Sequence, residues 1–424
     1  LHYPLRRQRQ MCIRDSVAIA IDYSDPRVPL FDVVGNGFTF RDASTYGLND
    51  IEYTVLSDAQ DEEYAAQFDL GRDFYMDAGT FTVQAGFKGR WREKTYDKQV
   101  EFWENEDLTL ADVLGTSTYR LTSIDPVPSY DGATDFFNAN RDAFELNEID
   151  SAFDSALEDY RADEDILAGY LLGQFETDRL SVIGGVRYEN TSNKLYGSTA
   201  TIYEEGAVLG ADCGADAGAE ADDDIICVAP VEYERDYDQW LPSLNAKYEI
   251  TPGLLVRAAG YKSLMRPKLS SLAPRFEIEV NDENEIEGTF GNPNLRPYES
   301  WNLDASLEYY MSSNGALSAA VFWKDIKDYI VDVNIDQSGV FNGIAFDEAT
   351  IPINGRGAEV FGVELSASQA LDFLPGILSG FLVQANYTYT DATGELPDRD
   401  FTDLDNVDSY REIMLPSSSK HTLN

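Results

Sequence analysis

Residues 291–310 read Gly291-Asn292-Pro293-Asn294-Leu295-Arg296-Pro297-Tyr298-Glu299-Ser300-Trp301-Asn302-Leu303-Asp304-Ala305-Ser306-Leu307-Glu308-Tyr309-Tyr310. Pro293 and Pro297 cannot serve a central strand ladder, because proline fixes φ and lacks the amide N–H. They end a loop and start a strand with fixed geometry. From Trp301 the chain alternates. Trp301, Leu303, Ala305, Leu307 and Tyr309 share one face, and Asn302, Asp304, Ser306, Glu308 and Tyr310 the other. Period-two alternation describes a strand with one apolar and one polar side.

The pattern recurs outward from this stretch. Val182, Gly184, Val186 and Tyr188 repeat it upstream, as do Leu244, Ala246, Tyr248 and Ile250. Phe381, Val383, Ala385, Tyr387 and Tyr389 repeat it downstream. A soluble sandwich would alternate in the same way. Connection lengths discriminate better. Tight turns stand at Tyr75–Gly79, Thr177-Asp178-Arg179, Thr251-Pro252-Gly253, Ser312–Gly315 and Asp372–Gly376. Between them lie long polar segments near 104–163, 196–232, 267–298, 333–354 and 392–408. Short turns at one rim and long loops at the other are the habit of a membrane β-barrel. The reading predicts roughly 12 long strands, several exceeding the usual 5–6 residues. It places loops Val208–Asp236, Leu269–Tyr298 and Asn334–Asn354 at one rim and the turns at Asp178, Pro252, Asn314 and Pro375 at the other.

Aromatic spacing agrees. Trp240 and Tyr248 share a strand face, as do Trp301 and Tyr309. Each pair is about eight residues apart, or ~26 Å along a strand. With a barrel's tilt that spans about 20 Å, close to the height of an apolar membrane band between two aromatic girdles. One helix is expected inside the first long loop, because Leu146, Ile149, Phe153, Ala156, Leu157 and Tyr160 take helical spacing.

Composition excludes several functions. The 424 residues carry 32 Lys plus Arg against 76 Asp plus Glu, a formal charge of −44, so nucleic-acid binding through phosphate neutralisation is ruled out. No apolar run reaches transmembrane-helix length. The mean hydropathy of −0.34 is compatible with a membrane barrel, whose two faces average out. Catalysis has no support. The two histidines, His2 and His421, stand at opposite ends, and no nucleophile elbow or phosphate loop is present. No cofactor is implied.

Residues 1–16 (LHYPLRRQRQMCIRDS) are basic, unlike the acidic remainder of the chain, and MCIRDS resembles translated library-adapter sequence. We set them apart as a non-native leader and take 17–424 as the folded part. A signal peptide is the rival; it fails because Val17–Ile21 is too short for an apolar core.

Several motifs together resemble the C-terminal half of the barrel in TonB-dependent outer-membrane receptors. They are Leu241-Pro242-Ser243-Leu244-Asn245, Arg257–Pro267, Gly291–Ser300, Phe322-Trp323-Lys324-Asp325-Ile326, Gly362-Val363-Glu364-Leu365 and Leu415–Asn424. The match is closest over 233–424 and weaker over 160–195. The resemblance implies an all-β fold, part of a 22-stranded antiparallel transmembrane barrel in the outer membrane of a Gram-negative cell. It also implies import of a scarce nutrient, such as an oligosaccharide or a siderophore, energised by the TonB complex through an N-terminal plug. The plug, the TonB box and the last strands are not found in this sequence, which reads as a fragment. A passive porin, or a secreted acidic β-protein binding calcium, are the rival readings.

Loop composition suggests where a ligand would be met. Tyr130, Phe136, Phe137 and Phe276 are aromatics in long loops, suited to stacking on sugar rings, and Arg275 lies beside Phe276. Arg266, Lys268, Arg275 and Arg296 form a local basic group in an otherwise acidic mouth. That mouth favours neutral or cationic ligands over anionic chelates. Cys213 and Cys227 bracket an Ala/Gly-rich loop in a compartment that permits a disulfide. The acidic runs Asp222-Asp223-Asp224, Asp282–Glu287 and Asp398–Asp405 lack the EF-hand spacing and read as solvated loops.

Overall fold

The computed structural model describes residues 18–22, 30–34, 42–116, 126–281, 283–311, 314–397, 410–415 and 418–424. The leader 1–16 lies outside these residues, as do Asp282, Asp398, Asp400, Asp403 and Asp405. The chain divides into two compact units, residues 1–56 with 99–152, and residues 57–98 with 153–424.

In the first unit β1 (Ala18–Asp22) pairs antiparallel with β2 (Leu30–Val34). The unit also takes the start of β3 (Ile51–Met76), the end of β4 (Gly79–Glu104), α1 (Tyr130–Ala139), β5 (Glu145–Asn147) and the start of α2 (Glu148–Glu158). Ser129 caps α1, its hydroxyl accepting from Gly132 N at 3.0 Å. Leu108, Phe137 and Phe144 form the core, with Ile51, Trp103 and Phe136 against it. The expected helix is α2, shorter than its spacing suggested. Leu146 instead pairs with Trp103 in β5, and Tyr160 opens the next strand. Sequence reading missed α1.

The wall of the second unit is an antiparallel sheet curled into a half-barrel. After β3 and β4 come β6 (Tyr160–Glu176), β7 (Leu180–Tyr203), β8 (Ile225–Thr251) and β9 (Leu254–Met265). The next loop holds α3 (Leu269–Leu272), β10 (Phe276–Val280) and β11 (Ile286–Phe290). Then come β12 (Tyr298–Met311), β13 (Gly315–Lys327) and a second built loop of β14 (Ile330–Ile335), β15 (Gly339–Phe341), β16 (Ile344–Phe346) and β17 (Glu348–Asn354). The wall finishes with β18 (Gly357–Ala370), β19 (Leu382–Pro397), β20 (Tyr410–Met414) and β21 (His421–Leu423). Wall order is β3-β4-β6-β7-β8-β9-β12-β13-β18-β19, with β20 and β21 both pairing on β19. Among the described residues ten strands run twelve residues or more, fewer than the 12 expected.

Alternation sets the two faces. Trp240, Tyr248, Trp301 and Tyr309 are all exposed on the outer face, with Leu303, Leu307 and Leu365 between the two aromatic levels. Tyr188 packs on its register partner Trp240 at 4.9 Å. On the inner face Asn302 is buried, donating to Ser263 Oγ at 3.0 Å. Turns at 77–78, 177–179 and 252–253 share one rim by antiparallel register. Gly253 sits at φ +82°, where a Cβ would fall 2.6 Å from Tyr310 O, so the tight turn requires glycine there.

The other rim is more ordered than expected. Strand β8 starts at Ile225, so the second half of the predicted loop Val208–Asp236 is strand paired with β7. Its outward residues Glu232, Glu234 and Asp236 are charged because this end faces water, which removes the apolar signal without removing the ladder. The predicted loops 267–298 and 333–354 also hold strands. Here β10 pairs parallel with the end of β7, β11 parallel with β17, and β14 antiparallel with β17. They enclose a core of Tyr203, Phe276, Phe290, Phe346 and Ile351.

Candidate functional site

The inner wall beneath these loops carries a polar cluster. The odd residues of β7 turn inward, putting Arg187, Glu189, Thr191 and Asn193 in a row, and the register sets Glu164 of β6 opposite Asn193. Arg266, just past β9, reaches into this row. Its Nη2 donates to Glu189 Oε2 at 2.6 Å and to Thr191 Oγ1 at 3.0 Å, and its Nε lies 3.8 Å from Glu164 Oε2. Arg187 Nε donates to Glu189 Oε1 at 2.7 Å. Glu189 is thus held between two guanidiniums, which offsets the cost of burying it. Asn193 Oδ1 and Arg266 Nε are buried without a hydrogen-bond partner among the described residues.

The Gly291–Pro297 segment closes over this wall. Leu295 is buried with Tyr160, Ala162, Leu195, Leu269 and Leu272. Arg235 Nη1 donates to Leu295 O, and Arg296 Nε to Asp328 Oδ1 at 2.9 Å. Asn292 Nδ2 donates to Pro352 O at 2.8 Å, and Asn354 Nδ2 to Arg296 O at 3.0 Å. The most recognisable motif is therefore a staple that holds two loops against the wall.

The remaining expectations distribute unevenly. Phe276 is fully buried, edge-on to Tyr233 and Phe290 at 6.1 and 5.8 Å. Phe137 is buried between Trp103 and Phe144 and lies under the Arg141 guanidinium at 4.8 Å. Both rings are occupied by packing, which aromatic content alone does not distinguish from an open stacking face. Phe136 is half-buried. Tyr130 opens α1, and its side chain lies outside the described residues. Arg275 Nη1 is 3.4 Å from Glu158 Oε2 and lies over the Tyr160 ring. Cys213 and Cys227 are bonded, with Cα atoms 5.1 Å apart. Beside them Tyr203 donates to Asp212 Oδ1 at 2.7 Å, and burial, then this carboxylate, pushes the phenol up from its ordinary pKa. No group of three metal-ligating side chains is found among the described residues. Sequence alternation puts Arg187 and Glu189 on the face opposite Val186 and Tyr188 but does not single the inward row out as a site. The signal is two charged residues followed by two polar ones, Thr191 and Asn193, at every second position of the strand.

The family model "TonB dependent receptor-like, beta-barrel" matches residues 14–424. The chain belongs to this family. A TonB-dependent receptor barrel lies in the Gram-negative outer membrane, so the outer face with its aromatic levels meets lipid, and the short turns lie on the periplasmic side. The chain is 28% identical over 165 residues to an iron-regulated outer membrane virulence protein of Vibrio cholerae, covering 38% of this chain and 24% of that protein. Among solved structures it is similar to the ferric citrate transporter FecA in its unliganded form, at 14% identity and a TM-score of 0.46, covering 88% of this chain and 40% of that one. It is also similar to the ferric-catecholate import receptor Fiu from K12 E. coli, at 17% identity and a TM-score of 0.45, covering 80% and 38%. The chain spans about a quarter of the first relative and about two fifths of the two solved receptors.

Proposed function

We propose that the intact protein binds a scarce nutrient of neutral or positive charge at its extracellular face and imports it with energy from the TonB complex, acting through a plug. An oligosaccharide or an uncharged metal chelate is the class meant. The carrying observation is the state of the arginines. Arg187 and Arg266 are held by Glu189, Arg257 by Glu308, Arg275 by Glu158 and Arg296 by Asp328. Guanidiniums are the natural clamps for carboxylate and phosphate ligands. These five are already paired with carboxylates, in a chain of net charge −44. An anionic chelate would have to displace these partners against an unfavourable field. Phe136 and Arg275, both partly accessible, are the loop residues we assign to ligand contact, each within its own unit. Tyr130 stays with them on sequence grounds.

The test is uptake by cells carrying the intact gene, with labelled neutral oligosaccharides, neutral ferric chelates and anionic ferric chelates. Neutral ligands should enter and a protonophore should stop them. Preferred entry of the anionic chelate would overturn the charge reading. Entry that survives the protonophore would indicate a passive channel.

A further inference from the structure

The turn between β18 and β19 differs from its neighbours on the periplasmic rim. Those at 77–78, 177–179 and 252–253 are short. This one runs Leu371-Asp372-Phe373-Leu374-Pro375-Gly376-Ile377-Leu378-Ser379-Gly380-Phe381. From Phe373 to Thr390 there is no charged residue, in a chain of which 25% is charged. The turn is nonetheless ordered. Leu371 N donates to Phe381 O at 2.8 Å across its base, and Leu374 N to Leu371 O at 2.9 Å. Ser379 Oγ donates to Gly376 O at 2.8 Å, with Gly376 at φ +71°. Asn314 Nδ2 ties Asp372 to the adjacent β12–β13 turn at 2.8 Å. What this scaffold presents is apolar: Ile377 is 86% exposed, Phe373 64%, Phe381 53% and Leu378 48%.

We propose that this turn is an interfacial anchor, with Phe373, Ile377, Leu378 and Phe381 among the acyl chains of the periplasmic leaflet. Continuity decides for lipid. Phe381 is in phase with Val383, Ala385 and Tyr387, whose side of the sheet is the outer, lipid-facing one. The apolar surface of the turn therefore extends the band already in the membrane, with no charged rim between them. A protein partner's footprint would carry a polar rim of its own. Held in water instead, an ordered turn showing four large apolar side chains would favour association. Apolar burial at the boundary of headgroups and chains removes that cost. The inference is independent of which ligand the receptor carries.

The experiment places an environment-sensitive dye on Ile377→Cys of the intact protein, with the Cys213–Cys227 bond kept. The protein is reconstituted in phosphatidylethanolamine–phosphatidylglycerol vesicles, and Asp178→Cys is the control turn. Lipids with nitroxide on the acyl chain should quench the Ile377 dye several-fold more than aqueous iodide does, and the Asp178 dye should show the reverse. Iodide reaching both dyes equally overturns the proposal. So does a dye at Ile377 shielded from both quenchers, because protein would then cover the turn. If Ile377→Cys fails to insert, Leu378→Cys gives the same readout.

Discussion

Arg266 Nη2 meets Glu189 Oε2 at 2.6 Å, joining the residue just past β9 to the inner face of β7. The bond fixes where the 267–297 loop leaves the wall, because Pro267 comes next. Both side chains are largely buried, at 20% and 11% exposure, so removing one leaves the other poorly solvated. Arg187 still holds Glu189 and limits the damage. Arg266→Gln should cost about 1–3 kcal/mol in urea unfolding from vesicles and open the 267–297 loop to proteinase K. Adding Glu189→Gln should recover part of the loss. An unchanged midpoint and cleavage pattern would show that the bond contributes nothing.

The bonded Cys213 and Cys227 lie 14 residues apart and pin the turn Ala211–Asp216 to the start of β8. In the loop-entropy view a closure of this length contributes about 3 kcal/mol. Thiol reagent should leave both residues unlabelled on intact cells until reductant is added. Cys213→Ser with Cys227→Ser should make 204–224 the first loop nicked by added protease. Quantitative labelling without reductant would exclude the bond in the cell.

How far the sequence could be read depends on where each pattern had a single cause. Between Trp301 and Tyr309 alternation specifies a strand with one apolar face whether that face meets lipid or a core, so the strand and its two faces came through, and connection lengths with aromatic spacing decided for lipid. Above the membrane both faces of β8 meet polar surroundings, so Glu232 and Glu234 masked a strand whose ladder is intact. Phe276 and Phe137 show the converse limit. A loop aromatic reads alike whether it stacks on a ligand or closes a core, and here both close cores. The Glu164–Glu189–Arg266 cluster joins three distant segments, a juxtaposition that only the register of β6 through β9 creates.

Asp347 gives a pH-sensitive latch between the two built loops. Its Oδ2 accepts from Ile286 N at 3.0 Å and its Oδ1 from Ser338 Oγ at 2.8 Å. The backbone amide, then the hydroxyl, holds this carboxyl below its ordinary pKa. A depressed folded-state pKa means that the stabilisation is fully present above the ordinary carboxylate value, about 4. It is lost as pH falls through the depressed value. Hydrogen exchange at Ile286 should therefore be protected near neutrality and lose that protection only in strong acid, after correction for intrinsic rates. Asp347→Asn should weaken protection at neutral pH and flatten the pH dependence. A wild-type profile in the variant would remove the latch.

The lipid-facing assignment is tested best at the middle of a short wall strand. Val321 is the centre of β13 and pairs with Ala305 and Val363, all on the outer face. Val321→Arg puts a charge into the hydrocarbon and should cost about 2–4 kcal/mol, falling towards 0–1 at an interface. Ala320, its neighbour, points the other way, on the side of its register partners Ser306 and Glu364, and Ala320→Arg should be close to neutral. A close-packed core would also reject Val321→Arg, so a third variant is needed. Val321→Leu should be silent against fluid lipid, whereas a packed core would lose about 1–3 kcal/mol to the added bulk. Each change is read as an unfolding free energy of the intact barrel in bilayers. Equal losses for the two arginines, or a substantial loss for leucine, would place Val321 in a protein interior and reverse the two faces of the sheet.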